Sequence, residues 1–223
     1  MFAARFEDAP AVWGVGRVLV DGQVQPWPVS QADIDDEAAS MAPRLAALGV
    51  GDGDLVLLVS LLSQAIHVVP LELASGRLGA RYSSADATPF DAFRTVSLVR
   101  QLRPSVVVGI DRRVCEGFAT LGRDVADVFV DVGAVVAADR GGADALAAAG
   151  RAPHRWVRLG PTSALSGPEP DVLRYDAARW RLDEDSEGQL LVTNLAPRLT
   201  SCERLGTGVR GEVREPGALR LAD

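Results

Sequence analysis

The feature that most constrains the fold is an alternation of short apolar runs with helical patterns between residues 55 and 159. The run LVLLVS at Leu55–Ser60 is continuously apolar, as is typical of strands buried on both faces of a parallel sheet. Further strands are predicted at 81–84, 105–109, 128–132 and 155–159, with helices ending at 78 and spanning 89–102, 112–121 and 143–149. Strands alternating with helices at this spacing form right-handed βαβ units. We therefore predict an α/β fold with a mostly parallel sheet flanked by helices.

The two ends of the chain have different patterns. Two β-rich runs at 12–29 surround Asp21-Gly22, which suits a tight hairpin turn, and Ser30 with Asp33 resembles a helix start whose pattern ends at Gly49. Beyond Gly160, strands are predicted at 172–175, 179–182 and 189–193 without helical pattern, after a Pro- and Gly-rich linker at 161–170. We predict an α/β core at 1–160 and a small antiparallel β lobe at 161–223.

Charge and composition exclude several function classes. The chain of 223 residues has 30 acidic and 23 basic residues and a net charge of -7, which disfavours nucleic acid and anionic membranes as partners. The first ten residues lack a signal pattern, and no apolar run is long enough to cross a membrane, so we expect a cytoplasmic protein. Cys115 and Cys202 are far apart and form no CxxC pair, which speaks against disulfide and zinc frameworks.

All 23 basic residues are arginine, because the sequence contains no lysine. Schiff-base chemistry and phosphate recognition by lysine are therefore excluded for this chain.

No single motif predicts chemistry. Gly14 and Gly16 lack the third glycine of a dinucleotide fingerprint, and Ser163 lies in no GxSxG elbow. His67 and His154 are isolated, which favours core or surface histidines over a catalytic base. The acidic run at 183–187 could attract a cation, although a solvated turn is the favoured interpretation. We predict neither a catalytic residue nor a metal site.

The order of four segments carries more information than any motif. The segments are LAALGVGDGDLVLLVS, SGRLGARYSSADATPFDAFRTVSLVRQLRPSVVVGI, VFVDVGAVVAADRGGADALAAAG and EGQLLVTNLAPRLTSCERLGTGV. In this order they resemble the core of phenylacetate-CoA ligases, which belong to the adenylate-forming superfamily, over roughly residues 12–213. The resemblance implies ATP with magnesium and CoA as cofactors, and a homodimer.

The same resemblance shows that the residues for ATP chemistry are missing. The family's Ser/Thr-rich loop with a lysine corresponds to AVWGVGRVL, which has neither hydroxyl nor lysine. The family's aromatic-Gly-Ser/Thr-Glu motif corresponds to Leu159-Gly160-Pro161-Thr162-Ser163, where the magnesium-binding carboxylate is absent. Val209 stands where the family has the aspartate that binds ribose. The family's C-terminal domain, with its adenylation lysine, also has no counterpart.

Losses of this kind are large, because one preorganised transition-state contact changes rates by roughly 10²–10³. We therefore predict a catalytically degenerate homologue without cofactors, acting as a non-catalytic binding or scaffold protein linked to acyl or aryl acid metabolism, as a homodimer or with a partner enzyme. The alternatives are a binder of acyl-CoA, aryl acid or nucleotide, as a sensor or in altered chemistry, and less favoured, a divergent acyl- or aryl-CoA ligase. The candidate pocket, a vestigial nucleotide site, comprises Gly133, Ala134, Leu159, Gly160, Thr162, Ser163, Thr207 and Val209.

Overall fold

The computed structural model describes residues 11–20, 22–152 and 154–222. The first ten residues, on which the expected lack of a signal pattern depends, and Asp21 of the predicted turn lie outside the described residues. In the described ranges, no helix has the length and apolar character that crossing a bilayer requires.

The chain opens with a two-stranded antiparallel hairpin. Strands β1 (Gly14–Val20) and β2 (Gln23–Val29) pair along their full lengths, so the predicted hairpin is confirmed. Helix α1 (Gln31–Ala47) follows directly and begins with a capping box, in which Ser30 and Asp33 bond to each other's backbone N–H groups. The helix start predicted from Ser30 and Asp33 is therefore confirmed.

Five parallel strands form one part of an 11-stranded sheet. They are β3 (Leu55–Ser60), β4 (Arg81–Asp86), β5 (Val106–Ile110), β6 (Ala134–Ala137) and β7 (His154–Leu159). Their order in space is β4-β3-β5-β6-β7. Strands β3, β5 and β6 are almost entirely buried, and the apolar sequences of β3 and β5 predict this for those two strands.

Helices cover both faces of the parallel strands. Besides α1 they are α2 (Ala65–Arg77), α3 (Ala92–Leu102), α4 (Arg112–Thr120), α5 (Val125–Val128) and α6 (Arg140–Ala148). Leu57 of β3 packs with the core under α3 to α6, whereas its neighbour Leu58 packs with the core under α1 and α2. Successive side chains of a strand alternate between faces, so these cores are the two sides of one sheet. The predicted α/β class is confirmed.

The strand predicted at 128–132 is wrong. Asp124 caps the short helix α5, and the chain then turns before β6 begins at Ala134. Phe129 and Val132 are buried against the core below α4 and α6. A short apolar run that is buried has the same composition in a strand and in a helix with a turn, so periodicity could not distinguish the two.

Antiparallel strands continue the same sheet beyond β7. They are β8 (Thr162–Ser166), β9 (Leu173–Arg174), β10 (Trp180–Glu184), β11 (Gln189–Asn194), β12 (Leu205–Glu215) and β13 (Ala218–Leu221). Their order from β7 outward is β8-β9-β13-β12-β11-β10. The predicted change to antiparallel strands is therefore found, while the division into units at 1–160 and 161–223 stays a prediction.

The linker predicted at 161–170 is wrong, because it contains strand β8. All five residues of β8 are buried, and the strand pairs with both β7 and β9. Pro161 and Pro170 flank the strand, where a missing N–H group costs no ladder hydrogen bond. Strands β12 and β13, which the sequence pattern did not predict, contain charged residues that hide their alternation.

A buried polar network joins α1 to the antiparallel strands. Glu37 accepts hydrogen bonds from Trp180 Nε1 at 2.8 Å, from Arg198 at 2.5 Å and from Thr162 Oγ1 at 3.0 Å. The side chains of Glu37 and Arg198 are 7% and 5% exposed, and the Arg198 guanidinium lies 4.3 Å from the Trp180 ring centroid. A buried carboxylate is tolerated where it is paired and hydrogen-bonded in this way.

Candidate functional site

The strand order places a crevice at the carboxyl edge of the parallel strands. From β3 the chain passes to β4 on one side, and then crosses to β5 on the other side of β3. Ligands of open α/β sheets bind at such a switch point, outside the carboxyl ends of the strands. The segment that follows β3 contributes Gln64 to this edge of the sheet, and the segment that follows β5 contributes Asp111.

Two adjoining cavities of about 440 and 290 Å³ lie at this edge. Gln64 and Arg158 belong to the walls of both. The larger one is closed on one side by the hairpin, through Arg17, Val18, Leu19 and Val24. Its volume is in the range of small-molecule sites.

The wall of the larger cavity is cationic and apolar. Arg17 and Arg158 supply guanidinium groups, while none of the described residues that form this wall is acidic. Burial lowers the pKa of Arg158, and the Asp111 carboxylate opposes that shift. Within the described residues, the Arg158 guanidinium has neither a hydrogen-bond nor an ion-pair partner, so its donors are available to a ligand.

His67 of α2 also borders the larger cavity. Its side chain is buried, and burial together with the nearby Arg158 cation lowers its pKa to about 3. The imidazole is therefore neutral at physiological pH, and it offers a hydrogen-bond donor and acceptor but no charge.

Protonation of His67 should make stability depend on pH. Between pH 6.5 and about 3 the unfolded chain binds a proton at this imidazole and the folded chain does not, so stability decreases as pH falls through that window. At up to ~1.4 kcal/mol per pH unit, His67→Gln should remove about 2 kcal/mol of the loss between pH 6.5 and 5. Urea unfolding at pH 7, 6 and 5 measures this.

His154→Gln is the matched control for that measurement. His154 is only half-buried, and its pKa is also lowered by burial. We expect a smaller effect on the pH dependence than for His67→Gln. Parallel stability curves for the wild type and His67→Gln would contradict the assignment of a neutral, buried His67.

The carboxylates of the smaller cavity already have partners. Asp111 caps α4 through Val114 N at 2.9 Å and pairs with Arg113 at 2.9 Å. Asp139 caps α6 through Gly142 N at 2.7 Å, and it also accepts from Arg112 N. Among the residues that the structure describes, no group of three or more His, Cys, Asp or Glu side chains could hold a metal ion. These carboxylates cap helices α4 and α6 at the edge of the sheet. Within the described residues, the Arg158 charge is left without an ion-pair partner.

The structure brings three of the predicted pocket residues together. Gly160, Thr207 and Val209 all border the larger cavity. Thr207 Oγ1 donates to the Leu190 carbonyl at 2.8 Å and accepts from Val209 N at 3.1 Å. The Thr207 hydroxyl therefore links β12 to β11.

The other predicted pocket residues lie elsewhere. Leu159 is fully buried in the core of the antiparallel strands, and Thr162 and Ser163 are buried on β8. Gly133 and Ala134 lie at the amino end of β6, where Gly133 N bonds to Ser105 O. Leu159 is at the carboxyl end of β7, and the pairing of β7 with β6 begins only at Val136. Gly133 and Ala134 precede Val136, so they lie at the amino edge of the parallel strands, opposite to the edge where Leu159 lies.

Sequence reasoning did not single out the charged residues of the cavity. Arg17 and Arg158 are two of 23 arginines, and their separation in the chain gives no local motif. Arg158 nevertheless carried a signal, because this charged residue lies between Val157 and Leu159, which are both buried in the strand. A charged residue inside a buried strand is a candidate for function.

Comparison with known proteins yields structural matches alone. No family model and no curated protein sequence matches the chain. A 2-hydroxyisobutyryl-CoA ligase in complex with 2-HIB-AMP and CoA superposes with a TM-score of 0.72 at 16% identity, over 95% of this chain and 56% of that one.

Two further structures show the same fold. The anthranilate CoA ligase AuaEII with anthranoyl-AMP matches at a TM-score of 0.67 and 13% identity, over 94% of this chain and 46% of that one. The N-terminal subdomain of Klebsiella oxytoca NpsA with 3-hydroxyanthranilyl-AMSN matches at 0.62 and 10% identity, over 93% and 63%. This chain spans about half the length of the two ligases. It has the fold of the adenylate-forming acyl- and aryl-CoA ligases, as the resemblance in its sequence predicts.

Proposed function

We propose that this chain is a non-catalytic binding protein that holds an acyl or aryl carboxylate, or a thioester of one, in the cavity between the hairpin and the carboxyl edge of the sheet. The observation that supports the proposal is the combination of two arginines with apolar side chains, in a wall whose described residues include no carboxylate. A ligand with a negative charge at one end and an apolar group at the other can contact both the arginines and the apolar side chains of this wall.

The apolar part of the wall suits a ring or an alkyl chain. Val18, Leu19, Val24 and Val209 surround the space, and Leu19 and Val24 are 45% and 66% exposed. Covering such side chains with a ligand removes apolar surface from water, at about 25 cal/mol per Å². A carboxylate at the other end would accept hydrogen bonds from Arg158, whose guanidinium has no partner among the described residues.

The same wall is poorly suited to magnesium-ATP. A magnesium ion needs oxygen ligands, of which carboxylates are the usual protein contribution. The described wall residues of the larger cavity include no Asp or Glu, and the sequence has no lysine to contact phosphates. Val209, which stands where the resemblance implies a ribose-binding aspartate, borders this cavity and supports the same interpretation.

Arg158→Gln should weaken binding of the carboxylate ligand by about 10- to 100-fold. A hydrogen bond to a charged group contributes about 1.5–3 kcal/mol, and every 1.4 kcal/mol corresponds to a factor of ten in affinity. The measurement is calorimetric titration with phenylacetate, benzoate, octanoate and their CoA thioesters, after thermal-shift screening. A ligand at 100 times its dissociation constant should stabilise the chain by about 2.7 kcal/mol.

Arg100→Gln is the matched control, because Arg100 is exposed on α3 and lies away from the cavity. It should bind with wild-type affinity. If no carboxylate or thioester shifts the melting temperature, or if Arg158→Gln binds as tightly as Arg100→Gln, the proposal is wrong. Tighter binding of magnesium-ATP than of every acid would instead favour the divergent ligase. The expected homodimer or partner enzyme stays a prediction.

A further inference from the structure

A third cavity lies between α6 and the strands β7, β9 and β13. Its volume is about 480 Å³, and its wall carries three arginines, Arg140, Arg155 and Arg220. Arg155 and Arg158 are three positions apart on β7, and side chains of a strand alternate between faces. The two arginines therefore project to opposite faces of the sheet, and this cavity is separate from the one at the carboxyl edge.

Arg155 has a buried hydrogen-bond donor without an acceptor among the described residues. Its Nε atom is buried and makes no hydrogen bond to any residue that the structure describes, while its backbone N–H donates to Ser166 Oγ. Burial lowers the pKa of the guanidinium, and the Arg140 cation lowers it further, against the opposing effect of Asp139 and Asp144. A buried charged donor without an acceptor is unfavourable, and an oxygen atom of a ligand would satisfy it.

The other two arginines are also available. Arg140 makes only a long contact of 3.9 Å with Asp144, and both side chains are 72% exposed. Arg220 is exposed, and its guanidinium has no ion-pair partner in the part of the chain that the structure describes. Asp144 and Asp171 are the acidic groups of the wall, so the arginines outnumber the carboxylates.

We infer that this cavity binds a small polyanion, either a phosphate ester or a polycarboxylate, through Arg155 and Arg220. The planar guanidinium fork matches both phosphate and carboxylate oxygens, and two forks on different strands can contact two anionic groups of one molecule. The cavity volume is in the range of small-molecule sites and admits such a molecule.

Titration calorimetry of the full chain with pyrophosphate and with citrate, at ionic strength matched with sodium chloride, tests the inference. We expect saturable binding of at least one probe. Arg220→Gln should weaken that binding by 10-fold or more, and Arg155→Gln should weaken it at least as much. Pyrophosphate alone would identify a phosphate site, citrate alone a polycarboxylate site, and both a general polyanion site.

Arg100→Gln again serves as the control and should bind like the wild type. Arg220 is exposed, so its replacement leaves the fold intact even if Arg155→Gln does not accumulate. The inference is overturned if neither probe gives heat beyond that of sodium chloride, or if Arg220→Gln binds with wild-type affinity. The comparison of Arg220→Gln with the wild type separates this cavity from the carboxylate site, because Arg158 and the hairpin are unchanged in that variant.

Discussion

Replacing Glu37 by alanine should lower the free energy of unfolding by about 3–5 kcal/mol. The side chain accepts three hydrogen bonds from Trp180, Arg198 and Thr162, so the change leaves the nearly buried Arg198 guanidinium with the more distant Asp33 carboxylate, at 3.9 Å, as its remaining counterion among the described residues. Removing one partner of a buried ion pair costs that amount, because the remaining charge cannot be solvated. Domains are stable by about 5–15 kcal/mol, so a large part of that stability would be lost.

Urea unfolding monitored by tryptophan fluorescence measures this effect. Glu212→Ala is the control, because the Glu212 and Arg214 side chains are 59% and 48% exposed, and exposed pairs contribute about 0–1 kcal/mol. The double variant Glu37→Met with Arg198→Met should recover part of the loss, since it removes both charges of the Glu37–Arg198 pair. A Glu37→Ala protein within 1 kcal/mol of the wild type would show that the network does not hold α1 to the antiparallel strands.

Gly109→Ala should lower the free energy of unfolding by about 3 kcal/mol or more, and it should reduce the yield of folded protein. Gly109 has a φ of +105°, which L side chains rarely adopt, and a Cβ at this position would lie 2.0 Å from the Val59 carbonyl oxygen. The obstacle is the backbone of the neighbouring strand, which cannot rotate away. Overpacking and backbone strain each cost about 1–3 kcal/mol.

Gly76→Ala is the matched control for the same substitution. Gly76 lies in α2, and a Cβ there meets nothing within 4 Å. Alanine should stabilise the helix at this position by up to about 1 kcal/mol. Opposite signs for the two variants are expected, measured as changes in the urea midpoint at constant slope. If Gly109→Ala leaves the midpoint unchanged or raises it, the backbones of β3 and β5 do not approach each other closely at Gly109.

The fold could be predicted where local chemistry and burial agree. Two local signals were sufficient. The apolar run at Leu55–Ser60 determines strand β3, and the capping pair Ser30 and Asp33 determines the start of helix α1. The run at 128–132 was predicted as a strand from its apolar residues, but it forms the end of a helix and a turn. Strand β8 was missed because its flanking prolines and glycines hide a fully buried run.

The candidate site was less predictable, because it depends on register and on contacts between distant segments. The resemblance placed Gly133 and Leu159 in one pocket, yet the stagger between β6 and β7 separates them. Arg17 and Arg158 border one cavity only because the hairpin packs near the end of β7. Such a contact leaves no periodic pattern in the sequence.

The loss of ligase chemistry is tested by the exchange of pyrophosphate into ATP. This exchange is measured with the purified chain, magnesium and a panel of aryl and fatty acids. A chain with no lysine and no carboxylate in the described wall of its larger cavity should give no exchange above a heat-denatured control. Acid-dependent exchange above that control, weakened by Arg158→Gln, would contradict the proposal of a non-catalytic carboxylate-binding protein.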